Sequence, residues 1–182
     1  IERKRYRSDG SLYSKLTLKY DYNGNIIEMA EYQSDGSLMQ KGTYKYDDKG
    51  NNVEVAVYQS DGSLATKTTY KYDGKGNITV KNEYGSYGNL IERRTYKYDD
   101  NGNEIEVVVY LPDGRIDSKW TNKFDDKGNE IEYKDYKSDG SIGNQEIYKY
   151  EFDKEGNWIE LSTFRNGALE FNVEREIKYF LF

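Results

Sequence analysis

Five glutamates occupy one place in a repeating unit: Glu28, Glu54, Glu106, Glu132 and Glu160, each following Ile or Val. Two carboxylates do acid–base chemistry when one is held protonated and the other ionised in a shared cleft. Equivalent glutamates on a sheet lack that asymmetry, and read as surface charges. The aspartate pairs Asp47-Asp48, Asp99-Asp100 and Asp125-Asp126 are Ca²⁺ ligands by type. A calcium loop needs five or more spaced oxygens ending in a bidentate Glu, and that spacing is missing. An Asp that bonds its own backbone in a turn is the reading preferred here. The chain has no His and no Cys. It therefore lacks the commonest general base, the commonest metal ligand and any thiolate. Nucleophile motifs and phosphate-binding loops are also missing. The expectation is a protein that is not an enzyme and holds no cofactor and no metal.

Aromatic residues offer a different chemistry. Tyr32, Tyr58, Tyr84, Tyr110 and Tyr136 stand 26 residues apart, and Tyr6 and Phe164 extend the series. Such a row packs as a cross-strand ladder or stacks sugar rings. Trp120 and Trp158 are the two tryptophans, and both lie outside the repeated pattern. Each reads as a local core plug or, less favoured, as a contact site. The candidate partner- or glycan-binding residues are accordingly Tyr32, Tyr58, Tyr84, Tyr110, Tyr136 and Trp120.

The elements that place these residues follow from two glycine series. Gly24, Gly50, Gly76, Gly102 and Gly128 are spaced by 26, as are Gly10, Gly36, Gly62, Gly88, Gly114 and Gly140. Two turns per 26 residues mean a hairpin repeat with strands of normal length. One turn type is Ser-Asp-Gly-Ser, as at Ser34–Ser37, and the other is Asp-x-x-Gly-Asn, as at Asp47–Asn51. Both suit a type I turn closed by a left-handed Gly, with a bulge. The fold class is all-β: an antiparallel β-meander of about 14 strands, spanning roughly 65 Å at about 4.8 Å per strand. Strand twist of about 20° per step coils it into a twisted single-sheet ribbon or open shell.

Alternation sets the faces. Leu38, Tyr44 and Tyr46 share one side of their strand, while Lys41, Thr43 and Lys45 share the other. The returning strand puts Val53, Val55 and Val57 on one side and Glu54, Ala56 and Tyr58 on the other. Three-residue loops place Tyr58 beside Leu64 and gather the aromatic ladders on one face. Four-residue loops instead pair Lys45 with Glu54 and Tyr46 with Val53. Turn chemistry favours the first and charge pairing the second.

Residues 1–150 form tandem 26-residue hairpins, the first one incomplete, because Ile1-Glu2 aligns with Ile27-Glu28. The missing half is expected upstream. From Gly128 to Gly156 the spacing is 28, so a bulge or strand extension must absorb two residues near Tyr148–Asp153. Residues 151–182 form a divergent C-terminal capping repeat of the same continuous array. In it Leu169, Phe171, Val173, Ile177, Tyr179 and Leu181 alternate on one side, interrupted by Arg175.

Leu, Ile, Val and Phe together make up only 36 of 182 residues, but 20 tyrosines add apolar surface. The net charge is −6, from 33 acids and 27 bases that alternate along the chain. No basic stripe is available for nucleic acid, and no apolar run reaches the length of a membrane-spanning helix.

The element Tyr-x-Tyr-Asp-x-x-Gly-Asn, seen at Tyr44–Asn51, Tyr70–Asn77 and Tyr96–Asn103, resembles the YD (RHS-type) repeats of bacterial surface and secreted proteins. Asn157-Trp158-Ile159 followed by Glu174-Arg175-Glu176-Ile177 resembles the C-terminus of repeat lipoproteins of Bacteroidetes. The resemblance implies a coiled β-sheet shell or ribbon, outside the cell or on its surface. The implied function is a non-enzymatic scaffold presenting an extended surface to a protein or polysaccharide, with self-association left open. The alternative is a carbohydrate-binding adhesin using the tyrosine ladder.

Overall fold

The computed structural model describes residues 1–179. Its strands are β1 (Glu2–Tyr6), β2 (Leu12–Tyr20), β3 (Ile26–Gln33), β4 (Leu38–Tyr46), β5 (Asn52–Gln59), β6 (Leu64–Tyr72), β7 (Ile78–Tyr84), β8 (Leu90–Tyr98), β9 (Glu104–Tyr110), β10 (Ile116–Phe124), β11 (Glu130–Tyr136), β12 (Ile142–Phe152), β13 (Trp158–Arg165) and β14 (Ala168–Glu174). They lie in chain order in one antiparallel sheet, the meander the repeats imply. Among the described residues no helix is long and apolar enough to cross a membrane. The chain divides into two compact units, Ile1–Thr95 with Leu111–Gly114, and Tyr96–Tyr110 with Arg115–Phe182.

The turns obey their sequence chemistry. At Asp47–Asn51, Gly50 N donates to Asp47 O at 3.0 Å, and Asp47 N donates to Asn51 O at 3.0 Å. Gly50 sits at φ +86°, where a side chain is strained, and the other glycines of the two series lie between +74° and +92°. The Asp47 carboxylate accepts from Lys49 N at 3.0 Å, Asn51 N at 2.8 Å and Asn51 Nδ2 at 3.0 Å. These bonds hold its pKa below the ordinary range, the Asn51 side chain contributing most. The aspartate pairs are thus turn formers, with the first Asp of each pair occupied by its own loop. The Ser-Asp-Gly-Ser turns close in the same manner, Asp61 accepting from Ser63 N at 2.8 Å and Ser63 Oγ at 2.6 Å.

Strand parity departs from both simple alternatives, because a bulge follows the turn in each of the hairpins whose pairing is described here. In β4·β5, Lys45 pairs with Glu54 and Tyr46 with Asn52, leaving Val53 as the extra residue. In β5·β6, Tyr58 pairs with Leu64 and Val57 with Thr66, leaving Ala65 extra. The three-residue loop and the charge pairing therefore coexist. Tyr46 does not face Val53, and the aromatic ladders do not gather on one side. Tyr58 shares a face with Lys41, Thr43 and Lys67, whereas Tyr44 and Tyr70 point the other way. Each bulge shifts register by one residue, and a one-residue shift reverses a face.

A bulge also frees a backbone carbonyl, which needs a donor. Tyr46 Oη donates to Ile26 O at 2.9 Å, and one repeat later Tyr72 Oη donates to Asn52 O at 2.6 Å. Position 124 is Phe, without a hydroxyl. There Asn122 Nδ2 takes over, donating to Glu104 O at 3.1 Å. In the last such hairpin Arg175 Nε donates to Trp158 O at 2.9 Å, with its guanidinium 3.9 Å from the indole centroid. Arg175 thus breaks the alternation of the C-terminal segment because it fills the role that tyrosines fill earlier.

The 28-residue spacing is absorbed by strand extension: β12 has 11 residues where β10 has 9. The final strand ends at Glu174, shorter than the alternation suggested. Ile177 and Tyr179 lie beyond it, and Leu181 falls outside the described residues. Leu169 and Phe171 are each 59% exposed, since β14 has a neighbour on one flank only. The β13–β14 turn is Asn166-Gly167, with φ of 50° and 86°, a tight type I′ link. It docks on β12 through Asn166 N to Gln145 O at 2.8 Å.

If the tyrosine hydroxyl offsets the bulge, Tyr72→Phe lowers stability by about 1 kcal/mol, read from the urea midpoint. Tyr22→Phe, at a fully exposed turn position, leaves the midpoint unchanged.

Candidate functional site

The lysine face is built from strand pairs that bring Lys and Tyr together, with Glu beside them in most repeats. Lys15, Lys41, Lys67 and Lys119 stand directly across from Tyr32, Tyr58, Tyr84 and Tyr136. Each ammonium lies over its ring, at 4.5, 5.3, 4.6 and 5.4 Å from the centroid. Lys149 does the same for Phe164 at 4.8 Å. The ladder rings Tyr32, Tyr58, Tyr84, Tyr110 and Tyr136 are all half-buried. Cation–π contact explains why the tyrosines and lysines recur together. It also means that the face a sugar would stack on carries a lysine in these four pairs.

The recurring glutamates belong to the same face. Glu28 pairs with Lys19 and Glu54 with Lys45, both at 2.8 Å. Glu106 is held at 2.7 Å by both Lys97 and Lys119. Glu132 receives Lys123, Lys134 and the Gln145 amide, each at 2.7 Å. These donors, Lys123 first, pull its pKa down to about 2. Glu160 instead stands opposite Glu151 and Glu174.

The other face keeps the Tyr-x-Tyr pairs, as at Tyr44 and Tyr46, but changes elsewhere from repeat to repeat. Where successive copies carry Ile26, Asn52 and Ile78, the next two carry Glu104 and Glu130. Leu16, Gly42, Thr68 and Arg94 are followed by Trp120 and Glu146. Met29, Val55, Lys81 and Val107 are followed by Tyr133. The second unit thereby gains a group of half-buried aromatics and acids on one face: Trp120, Tyr133 and Tyr148 with Glu104, Glu130 and Glu146. Glu146 accepts from Tyr148 Oη at 2.7 Å and from Arg165 Nη2 at 2.9 Å, and its pKa is lowered, the Tyr148 bond leading. Burial pushes Glu130 up, and the Glu146 charge adds to the push. Burial also raises Glu104, opposed by a hydrogen bond from Trp120. Burial and the Glu130 charge both raise Tyr133, Tyr148 and Tyr150.

Trp120 alone among the sequence candidates belongs to this group, while the tyrosine ladder lies on the opposite face. The signal for the rest was available in the sequence, as departures at aligned repeat positions rather than as recurrences.

The profile of a family described as "Uncharacterised protein" matches residues 46–178. The chain belongs to that family. No curated protein matches its sequence. Among solved structures, the fold is shared with part of the Photorhabdus luminescens Tc holotoxin pore, with TM-score 0.62 and 13% identity over 95% of this chain. Only 9% of that toxin chain is covered. A porin-like protein from Bacteroides uniformis aligns over 94% of this chain and 91% of its own, at 15% identity and TM-score 0.37. A TcdB2–TccC3 structure aligns over 90% of this chain and 14% of its own, at 12% identity and TM-score 0.26.

Because its folded pKa lies below the ordinary 4.5, ionised Glu132 stabilises fully above pH 4.5, and that contribution is lost as pH falls towards 2. Glu132→Gln should therefore lower stability by about 1–2 kcal/mol at neutral pH. Urea titrations should show the gap to the native protein closing in acid.

Proposed function

We propose that the chain is a non-enzymatic repeat scaffold of the YD type, exported or held at a bacterial cell surface, that presents a long sheet face to a partner. Residues 1–150 serve as the array and 151–182 as its cap. The observation that carries this reading is the division of labour between faces. On one, lysines cover the ladder rings and pair with most of the recurring glutamates; on the other, the Tyr-x-Tyr pairs recur while the position occupied by Leu16, Gly42, Thr68, Arg94, Trp120 and Glu146 varies. Variable positions set among recurring tyrosines are free to carry contacts that differ along the array. The likeness of fold to part of a toxin pore supports a scaffold role.

Catalysis finds little support in the carboxylates. Four of the five equivalent glutamates are ion-paired. The one unlike pair, Glu130 and Glu146, is half-exposed, and Glu146 is engaged by Tyr148 and Arg165.

A glycan-binding adhesin using Tyr32, Tyr58, Tyr84, Tyr110, Tyr136 and Trp120 is the second reading, favoured by the regular spacing of the half-buried rings. Retention of the protein on a polysaccharide panel separates the two. The scaffold reading expects no retention, and a Tyr58→Ala/Tyr84→Ala variant that is less stable in urea but otherwise unaltered. Retention that disappears in the folded double variant establishes the adhesin instead. A hydrolase activity that survives repurification overturns both.

A further inference from the structure

The lysine face shows how this protein satisfies a ring beside a carboxylate. Lys119 lies over Tyr136 and pairs with Glu106 at 2.7 Å, so one ammonium serves both groups. In the second unit the variable face offers the same two chemistries with no cation over the rings and with Arg165 alone on Glu146. Tyr133 faces Glu146 across the β11·β12 pairing, and Trp120 faces Asp135 across β10·β11. Arg165 supplies positive charge to Glu146 and is shared with Glu170. Asp135 is occupied by Asn144, through its backbone N at 2.8 Å and Nδ2 at 2.7 Å. Among the described residues Glu104 and Glu130 make no ion pair, and no cation stands over Trp120, Tyr133 or Tyr148.

We propose that the face carrying Trp120, Tyr133, Tyr148, Glu104, Glu130 and Glu146 docks a cationic partner, an extended peptide segment presenting Lys or Arg side chains. The inference rests on the scaffold reading and names the class of partner. Charge complementarity selects this occupant. Two half-buried carboxylates without counter-ions attract an ammonium or guanidinium, and the adjacent rings hold its alkyl stem and its charge. A neutral sugar would stack on the rings but leave both carboxylates uncompensated. The upward push that burial gives Glu104 and Glu130 is what an incoming cation relieves. Side chains spaced two residues apart along a peptide strand match the alternation of the sheet beneath it.

The test uses the full chain carrying Trp158→Phe, so that Trp120 is the remaining fluorophore of its type. Titration with an oligolysine peptide at low salt is expected to shift the Trp120 emission, and Glu104→Gln/Glu130→Gln to weaken the response about tenfold. Glu28→Gln/Glu54→Gln removes the same charge from the opposite face and should change it little. Circular dichroism verifies the fold of each variant; if the double variant does not fold, Glu130→Gln alone carries the comparison. The proposal is overturned if oligolysine leaves Trp120 unmoved, if both pairs of substitutions weaken binding equally, or if a neutral polysaccharide moves Trp120 where oligolysine does not. Peptide binding elsewhere on the chain fails this inference and leaves the scaffold reading standing, whereas hydrolysis of the added peptide or polysaccharide fails the scaffold reading itself.

Discussion

A backbone carbonyl left unpaired at a bulge must find a donor, and much of this sheet is arranged around that need. A bulge gives its strand one extra residue, and with it the parity that sets Lys45 opposite Glu54 and Lys41 opposite Tyr58. A partly buried carbonyl without a donor is costly. The next hairpin supplies the donor: Tyr46 for Ile26, Tyr72 for Asn52, Asn122 for Glu104. At Phe124, where the side chain lacks a hydroxyl, Asn122 two residues earlier on the same face substitutes. The backbone requirement is fixed and the side chain that meets it is exchangeable.

That separation accounts for the different histories of the two faces. The lysine face is constrained along much of the array, because lysines cover the ladder rings and pair with the recurring glutamates. Few residues are fully buried; Ala30, Ala56 and Val107 are among them. A single sheet has little dry interior, so amphipathic side chains cover one another instead. The opposite face keeps its tyrosine donors, but between them its side chains pass from Leu16 through Gly42 and Arg94 to Trp120 and Glu146 at one repeat position.

The turns, strand count and strand order were legible because Gly, Asp and Asn have conformational roles that recur every 26 residues. Face assignment was not. A bulge at Val53 or Ala65 has no residue signature, and without it alternation yields two consistent but incomplete registers. The Asn166-Gly167 turn carries its signal in the dipeptide itself and falls outside the 26-residue period. Arg175 looked like an interruption until the Trp158 carbonyl it serves was visible. The acidic and aromatic group around Trp120 consists of departures from the repeat, so periodicity does not mark it.

The donor bonds have a direction. Where they are seen, the hairpin that offers the carbonyl comes first in the chain, and the side chain that answers it lies 17 to 20 residues further on. A chain made or exported from its N-terminus therefore presents each bulge before its partner exists. In these four cases a hairpin waits only for the one behind it. Such a sequence can be laid down in order, like courses of brick, with the exposed work at any moment confined to the newest strand.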